Sequence, residues 1–328
     1  MSETILLTGG NGFVGSHVAE ALLEAGYRVR CLLRKHSQLS WIETLPVDVQ
    51  RADYFDPNAL RRVLDGCSAI LHFAGATKAP DDVAFMKANA ETTRALLDAA
   101  ASACPDLKLF LFCSSQAALG PSPTLDPLSE EAPPHPLTAY GRSKLEAEKI
   151  CRQFADKLPI SIIRPPAVYG PRDVDILIFF KAIRWGISPS IGTGNRYLSM
   201  VYVKDVANIT LKLLEKKPQE FGIYHATDGT VHDWDEISRS IAVALKKHPV
   251  QLRIPTWGAL AISKIASSWA SATGRIATLN REKLDDIMQS YWLMSSQKAT
   301  DELGYQPDYS LDRGVGETAA WYQQMRWI

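Results

Sequence analysis

A glycine-rich turn near the start constrains the fold of this chain more than any other feature. An apolar run at residues 5–7 predicts a short buried strand, and residues 16–25 predict an amphipathic helix. Between them lies Thr8-Gly9-Gly10-Asn11-Gly12-Phe13-Val14-Gly15. Glycines at this spacing permit a sharp turn, a close backbone approach and tight packing of the helix on the sheet. Because the helix N-terminus attracts anions, the pattern predicts a dinucleotide pyrophosphate site; the alternative is an ordinary tight turn.

Strand-like and helix-like runs alternate through the first half. The predicted strands cover residues 27–33, 47–52, 69–73 and 109–113, with helices from Pro57 and over 88–103. This alternation predicts an α/β doubly wound parallel-sheet Rossmann fold. Ligands of such sheets bind at the carboxyl ends of the strands, so we expect Gly9, Asp53, Gly75 and Ser115 to lie along one edge.

The chain is expected to form two lobes. Residues 1–170 are assigned to the NAD(P)-binding Rossmann domain, to which residues 201–230 return through a helix at 205–215 and a strand at 221–226. Residues 171–200 and 231–328 are assigned to a smaller C-terminal substrate-binding lobe. The pattern from Trp234 onward predicts helices with short breaks.

The end of the second strand bears on the choice of cofactor. Arg34-Lys35-His36-Ser37 follows that strand, and no acidic residue stands between Gly26 and Trp41. An acidic side chain here would suit the ribose 2′-hydroxyl of NAD, whereas a basic one suits the 2′-phosphate of NADP. The sequence therefore favours NADP over NAD, unless Arg34 and Lys35 are simply solvated surface charges.

A second motif carries the predicted chemistry. Tyr140 and Lys144 stand four residues apart and would share one face of a helix. An ammonium beside a phenol should lower the pKa of the tyrosine, which could then exchange a proton with a substrate hydroxyl. A serine at the end of the neighbouring strand, within Ser114-Ser115, could hold the same oxygen. The alternative is a surface pair.

Composition excludes several classes of protein. Lys and Arg total 36 and so do Asp and Glu, which argues against nucleic acid as a partner. Five scattered cysteines suggest reduced thiols and no structural zinc. No signal peptide is recognised, and residues 257–274 are too short and polar for a membrane span, so a cytoplasmic location is expected. His232 and His248 are expected at the surface.

Together these motifs resemble the extended short-chain dehydrogenases/reductases, over essentially the whole chain. That group includes nucleotide-sugar epimerases and dehydratases, dihydroflavonol reductases and 3β-hydroxysteroid dehydrogenases. Further motifs carry the resemblance: Ala74-Gly75-Ala76, Asn89, Tyr140-Gly141-Arg142-Ser143-Lys144, Arg164-Pro165-Pro166-Ala167-Val168-Tyr169-Gly170-Pro171, residues 201–207 and residues 298–307.

The resemblance implies roles for individual residues. Tyr140 is the acid/base, Lys144 supports it and holds the nicotinamide ribose, and Ser115, five residues before Gly120, is the catalytic serine. Asp53 would touch the adenine. The implied cofactor contacts are Gly9, Gly12, Phe13, Val14, Gly15, Arg34, Asp53, Tyr54, Ala74, Gly75, Ala76, Asn89, Tyr140, Lys144, Pro165 and Val168, with no metal.

The predicted function is an NADP(H)-dependent oxidoreductase acting on a ketone or secondary alcohol of an apolar small molecule. Sugar epimerases of this group usually carry Asn where this chain has Ala167, which favours the reductase form. The apolar residues 257–269 suggest either a buried core helix or a lipophilic lid. The alternatives are a nucleotide-sugar epimerase/dehydratase and a non-catalytic, dinucleotide-bound regulatory or assembly protein. By resemblance, a homodimer through the helices at about 88–103 and 138–155 is expected.

Overall fold

The computed structural model describes residues 3–192, 194–255, 258 and 285–328, and fourteen strands are found among them. They are β1 (Thr4–Thr8), β2 (Arg28–Leu33), β3 (Asp48–Arg51), β4 (Ala69–His72), β5 (Leu109–Cys113), β6 (Ile160–Arg164), β7 (Ala167–Tyr169), β8 (Ile187–Ile191), β9 (Tyr197–Leu198), β10 (Met200–Tyr202), β11 (Gly222–His225), β12 (His232–Asp233), β13 (Val250–Ile254) and β14 (Tyr291–Trp292).

The α-helices of the same residues lie between and after these strands. They are α1 (Phe13–Glu24), α2 (Pro57–Leu64), α3 (Asp82–Met86), α4 (Thr92–Ala103), α5 (Gln116–Leu119), α6 (Ala139–Gln153), α7 (Leu177–Arg184), α8 (Val203–Lys216), α9 (Trp234–Leu245), α10 (Gln297–Leu303) and α11 (Leu311–Gln324).

Seven parallel strands form the central sheet, in the order β3-β2-β1-β4-β5-β6-β11. The strand order reverses beside β1, which is the arrangement of a doubly wound fold, so the predicted fold class is confirmed. Successive residues of β1 point to opposite faces: Ile5 and Leu7 join one buried cluster with α1 and α8, whereas Leu6 joins the other with α2, α4 and α6. Helices cover both faces, as the apolar strands require.

Two helix boundaries near the sheet differ from the sequence prediction. Helix α1 begins at Phe13 with Gly12 as its N-cap, so the last glycine of the turn lies in the first helical turn. Residues Lys87–Glu91 form a π-helical turn ahead of α4, and this turn contains Asn89. Such turns are rare and occur frequently at functional sites.

The smaller lobe has its own core. Phe180, Ile241 and Tyr322 pack there between α7, α9 and α11. Residues 250–254 were expected to be helical, but they form β13, which pairs in parallel with β8. The cause is tertiary, because β8 offers a partner strand some sixty residues earlier in the chain. Apart from residue 258, the apolar stretch 257–269 lies outside the described residues. Assigning this lobe to substrate binding stays a prediction.

Across the described parts of the chain, no helix combines the length and the apolar character needed to cross a membrane.

Candidate active site

The carboxyl ends of six strands bring the predicted site residues to one edge of the sheet. Each residue or pair follows its strand within a few positions: Gly9 after β1, Arg34 after β2, Asp53 after β3, Ala74 to Ala76 after β4, Ser114 and Ser115 after β5, and Pro165 after β6. The clustering expected from the alternating pattern is therefore present in the fold.

The glycine turn forms a cradle that side chains would fill. Gly9 has φ +72°, and a Cβ built there would lie 2.6 Å from the Ala74 nitrogen. A Cβ on Gly15 would lie 2.2 Å from the Gly9 carbonyl oxygen. No side chain caps the N-terminus of α1, so its first N–H groups stay available to an anion. These features fit a dinucleotide pyrophosphate, with Phe13 and Val14 in the first turn of the helix.

A basic loop follows β2 beside this cradle. The Arg34 side chain is exposed and forms no hydrogen bond or ion pair with any described residue. Arg51 holds the loop from β3, because its Nη1 donates to the carbonyl oxygens of Arg34 (3.1 Å), Lys35 (3.0 Å) and Ser37 (2.9 Å). Asn11 of the glycine turn donates to the Gln38 carbonyl at 2.9 Å. The loop is thus anchored while the Arg34 guanidinium remains accessible.

The two residues after β3 differ in accessibility. Asp53 is exposed, and its carboxylate accepts a hydrogen bond from the Phe55 N–H at 3.0 Å. Tyr54 is buried, and burial raises its pKa to about 12. The Asp53 side chain is therefore accessible to a ligand at the carboxyl edge of the sheet, whereas the Tyr54 side chain is packed in the interior.

Asn89 is a brace for the loop after β4. Its side chain is buried, and its Oδ1 accepts from the Ala76 N–H at 2.8 Å. Its Nδ2 donates to the Ala76 carbonyl (3.1 Å) and to the Ser143 hydroxyl on α6 (2.8 Å). Both amide hydrogens are donated to groups of the protein. Asn89 therefore holds the loop after β4 in place and does not itself offer a hydrogen to a cofactor.

Tight packing of α5 on α6 brings Tyr140 to Ser115. A Cβ on Gly141 would lie 2.2 Å from the Ala117 carbonyl oxygen, so a larger residue could not fit between the helices. Thr138 caps α6, and Ser115 caps α5 through the Ala117 N–H at 3.2 Å. The Ser115 hydroxyl also lies close enough to the Tyr140 phenol to influence its pKa. The serine and the phenol can therefore act on one substrate oxygen.

Lys144 is buried one helical turn beyond Tyr140. Its ammonium donates to the Cys113 carbonyl at 2.6 Å and lies 4.2 Å from the centre of the Phe112 ring. Burial lowers the pKa of Lys144. The expectation that Lys144 lowers the pKa of Tyr140 is wrong for this structure, because burial raises the pKa of that phenol to about 12 and the ammonium is directed toward β5 instead.

A buried ion pair that the sequence did not predict lies behind the serines. The Ser114 hydroxyl donates to Glu148 Oε1 at 2.5 Å. Arg164, at the end of β6, donates to the same carboxylate at 2.9 and 2.6 Å, and all three side chains are buried. No spacing along the chain predicts this pair, because Glu148 lies on α6 and Arg164 on β6. Ser114 is thus committed to structure, whereas Ser115 faces Tyr140.

Two histidines are structural. His72 is fully buried between the Thr8 hydroxyl (2.7 Å) and the Thr93 hydroxyl (3.1 Å), and burial lowers its pKa to about 3. His232 was expected at the surface, but it is buried, 2.7 Å from Asp228 and 3.3 Å from Glu236, and the Asp228 contact raises its pKa. Three or more His, Cys, Asp or Glu side chains able to hold a metal ion do not converge anywhere in the described residues.

A doubly wound parallel sheet with a glycine cradle at its carboxyl edge defines an NAD(P)-binding α/β protein. The model of the NAD dependent epimerase/dehydratase family matches residues 5–225. A ceramide reductase of Caulobacter vibrioides is 29% identical over 327 residues, covering 99% of this chain and 96% of the relative. The chain belongs to the NAD-dependent epimerase/dehydratase family, and it is an NAD(P)-dependent enzyme of the extended short-chain dehydrogenase/reductase type.

Solved structures agree on the fold. The protein gox2253 superposes with a TM-score of 0.82 at 28% identity, covering 99% of each chain. The UDP-glucose 4-epimerase of Thermotoga maritima, solved with UDP-glucose, gives a TM-score of 0.81 at 22% identity, covering 98% of this chain and 99% of its own. At the latter identity the likeness concerns the fold alone.

Proposed function

We propose that this protein is an NADP(H)-dependent oxidoreductase that interconverts a ketone and a secondary alcohol in an apolar molecule, with Ser115, Tyr140 and Lys144 as its catalytic residues. The tight packing of α5 on α6, which brings Ser115 beside Tyr140 at the strand ends next to the glycine cradle, is the observation that carries the proposal. It joins a proton donor and an oxygen-binding hydroxyl where a nicotinamide would meet its substrate.

Ser115, Tyr140 and Lys144 have different roles in the proposed reduction. NADPH, when bound, supplies the hydride that is added to the carbonyl carbon. The Tyr140 phenol, which is protonated at neutral pH, donates its proton to the ketone oxygen and is then reprotonated from solvent. The Ser115 hydroxyl orients that oxygen. The Lys144 ammonium, one helical turn beyond Tyr140, would hold the nicotinamide ribose of the bound cofactor.

An apolar lipid is the substrate class that we favour. The ceramide reductase relative aligns over 99% of this chain, and Ala167 offers no polar group where sugar epimerases of this group usually place an amide. We therefore propose a long-chain ketone, such as a ceramide whose secondary hydroxyl has been oxidised. When the protein is incubated with NADPH and this ketone, NADPH should be oxidised and the absorbance of the reduced nicotinamide should fall. Conversion of UDP-glucose into its C4 epimer without net oxidation of NADPH would instead establish an epimerase.

The choice of NADP rests on Arg34. Its exposed and unpaired guanidinium, on an anchored loop, suits the 2′-phosphate. By calorimetry, Arg34→Ala should weaken NADPH binding about ten- to a hundredfold and leave NADH affinity unchanged. Arg61→Ala, which removes an exposed cation from α2, is the matched control. Equal affinity of the unmodified protein for NADPH and NADH would contradict the preference.

A further inference from the structure

Exposed apolar side chains gather on one part of the smaller lobe. The helices α7 and α9 pack together, α7 packs on β8, and β8 pairs with β13. Trp185, at the end of α7, is 83% exposed and Val250, at the start of β13, is 75% exposed. We call this set the lobe patch; its members are Val174, Ile178, Trp185, Ile187, Val243, Val250 and Leu252.

Within α7 and within the β8–β13 pair, the exposed apolar side chains of the lobe patch share a face. On α7, Ile178, Lys181 and Trp185 are exposed at positions i, i+3 and i+7 and so share one face, while Phe180 and Ile183 are buried in the lobe core. Ile187 stands opposite Val250 in the strand pair, so their side chains lie on the same face of the two-stranded sheet. Exposed apolar area of this extent marks an interaction surface.

Cations accompany the apolar side chains. Among the described residues in these elements or directly after α9, six exposed cations form no ion pair: Lys181, Arg184, Arg239, Lys246, Lys247 and Arg253. Among the neighbouring acids, Asp175 pairs with Lys78 at 2.8 Å and Glu236 lies 3.3 Å from His232. Within the described part of the chain, Asp235 has only an amide hydrogen bond from Gln251 and keeps its charge, which leaves the unpaired cations in excess. Arg184 and Lys247 also line a cavity of about 120 Å³ between α7, α9 and α11. The partner of this surface should therefore be both apolar and anionic.

We propose that the lobe patch docks the protein on the surface of an anionic lipid bilayer. Tryptophan favours the level of the lipid headgroups, aliphatic side chains enter the acyl boundary, and lysines and arginines are attracted to anionic headgroups. A second copy of this chain fits less well, because a two-fold interface would place the same unpaired cations opposite one another. The proposal concerns peripheral binding and does not depend on the identity of the substrate.

Co-sedimentation of the full chain with vesicles tests the proposal. The protein should bind vesicles of phosphatidylcholine with one-third phosphatidylglycerol, bind pure phosphatidylcholine weakly, and be released by salt. The double variant Ile178→Ser/Trp185→Ser should lower the partition coefficient about tenfold. Lys181→Glu/Arg184→Glu should lower it by at least about tenfold.

The matched control variants replace an apolar side chain and a cation that lie outside the lobe patch. Leu125→Ser takes away an exposed apolar side chain outside the lobe patch, and Arg61→Glu reverses an exposed cation on α2; both should bind vesicles like the unmodified protein. Unchanged thermal melting and NADPH affinity establish that every variant is folded. Absence of binding to anionic vesicles by the unmodified protein, or patch variants that bind as strongly as the unmodified protein, would overturn the proposal. The proposal would also be overturned if the patch variants bound vesicles normally but changed the mass measured by light scattering. The lobe patch would then be an interface between two copies of the chain.

Discussion

At the scale of single residues, the two serines after β5 have different neighbours and should respond differently to substitution. Ser115→Ala removes the hydroxyl beside Tyr140 and the N-cap of α5, so kcat should fall strongly while stability drops by only about 1 kcal/mol. Ser114→Ala removes the hydrogen bond to the buried Glu148 carboxylate and should cost about 1.5–3 kcal/mol of unfolding free energy with a smaller effect on kcat. Denaturant unfolding and steady-state kinetics on both variants measure the contrast, and identical profiles would contradict it.

The protonation of Tyr140 makes a prediction for the pH dependence. Because the pKa of the phenol is raised to about 12, the proton donor is present throughout the neutral range. The rate of ketone reduction should therefore be flat between about pH 6 and pH 9, whereas alcohol oxidation, which requires the phenolate, should rise about tenfold per pH unit. A reduction rate that falls above about pH 7 would indicate that Lys144 does lower the pKa of Tyr140 during turnover.

At the scale of secondary-structure elements, the separation of α5 and α6 sets the distance between Ser115 and Tyr140. Gly141→Ala would place a Cβ 2.2 Å from the Ala117 carbonyl oxygen and force the helices apart. We expect a loss of about 1–3 kcal/mol in stability together with a large drop in kcat. Gly316→Ala, within α11, is the control, because nothing lies within 4 Å of the added Cβ and helix propensity should improve. An active, stable Gly141→Ala enzyme would contradict this role.

Elements specified by local sequence were predictable, and those that depend on distant partners were not. The glycine turn encodes its own backbone conformation, and the central strands are short apolar runs with clear boundaries. Strand β13 was missed because it depends on pairing with β8. The Glu148–Arg164 pair joins α6 to β6, and the direction of the Lys144 ammonium depends on the end of β5. Neither contact can be inferred before the sheet order is known.

At the scale of the whole molecule, a homodimer through α4 and α6 stays a prediction. Ala99 and Ile150 are buried within the chain, so they are unavailable to a partner, whereas Ala95 and Leu145 are partly exposed. Light scattering at micromolar concentration should give twice the chain mass, and Leu145→Glu should reduce it to the monomer mass. A monomeric unmodified protein would contradict this assembly.

The central claim is that Tyr140 transfers the proton in an NADPH-dependent reduction. Tyr140→Phe keeps the ring but removes the phenolic hydrogen, so cofactor affinity should persist while hydride transfer slows about 10²–10⁴-fold. Tyr27→Phe, a partly buried tyrosine before β2, is the matched control and should retain full activity. The decisive measurement is single-turnover oxidation of bound NADPH by the lipid ketone, followed at the nicotinamide absorbance. A strongly slowed Tyr140→Phe reaction is the predicted result; an unchanged rate across pH would show that another group moves the proton and would contradict the claim.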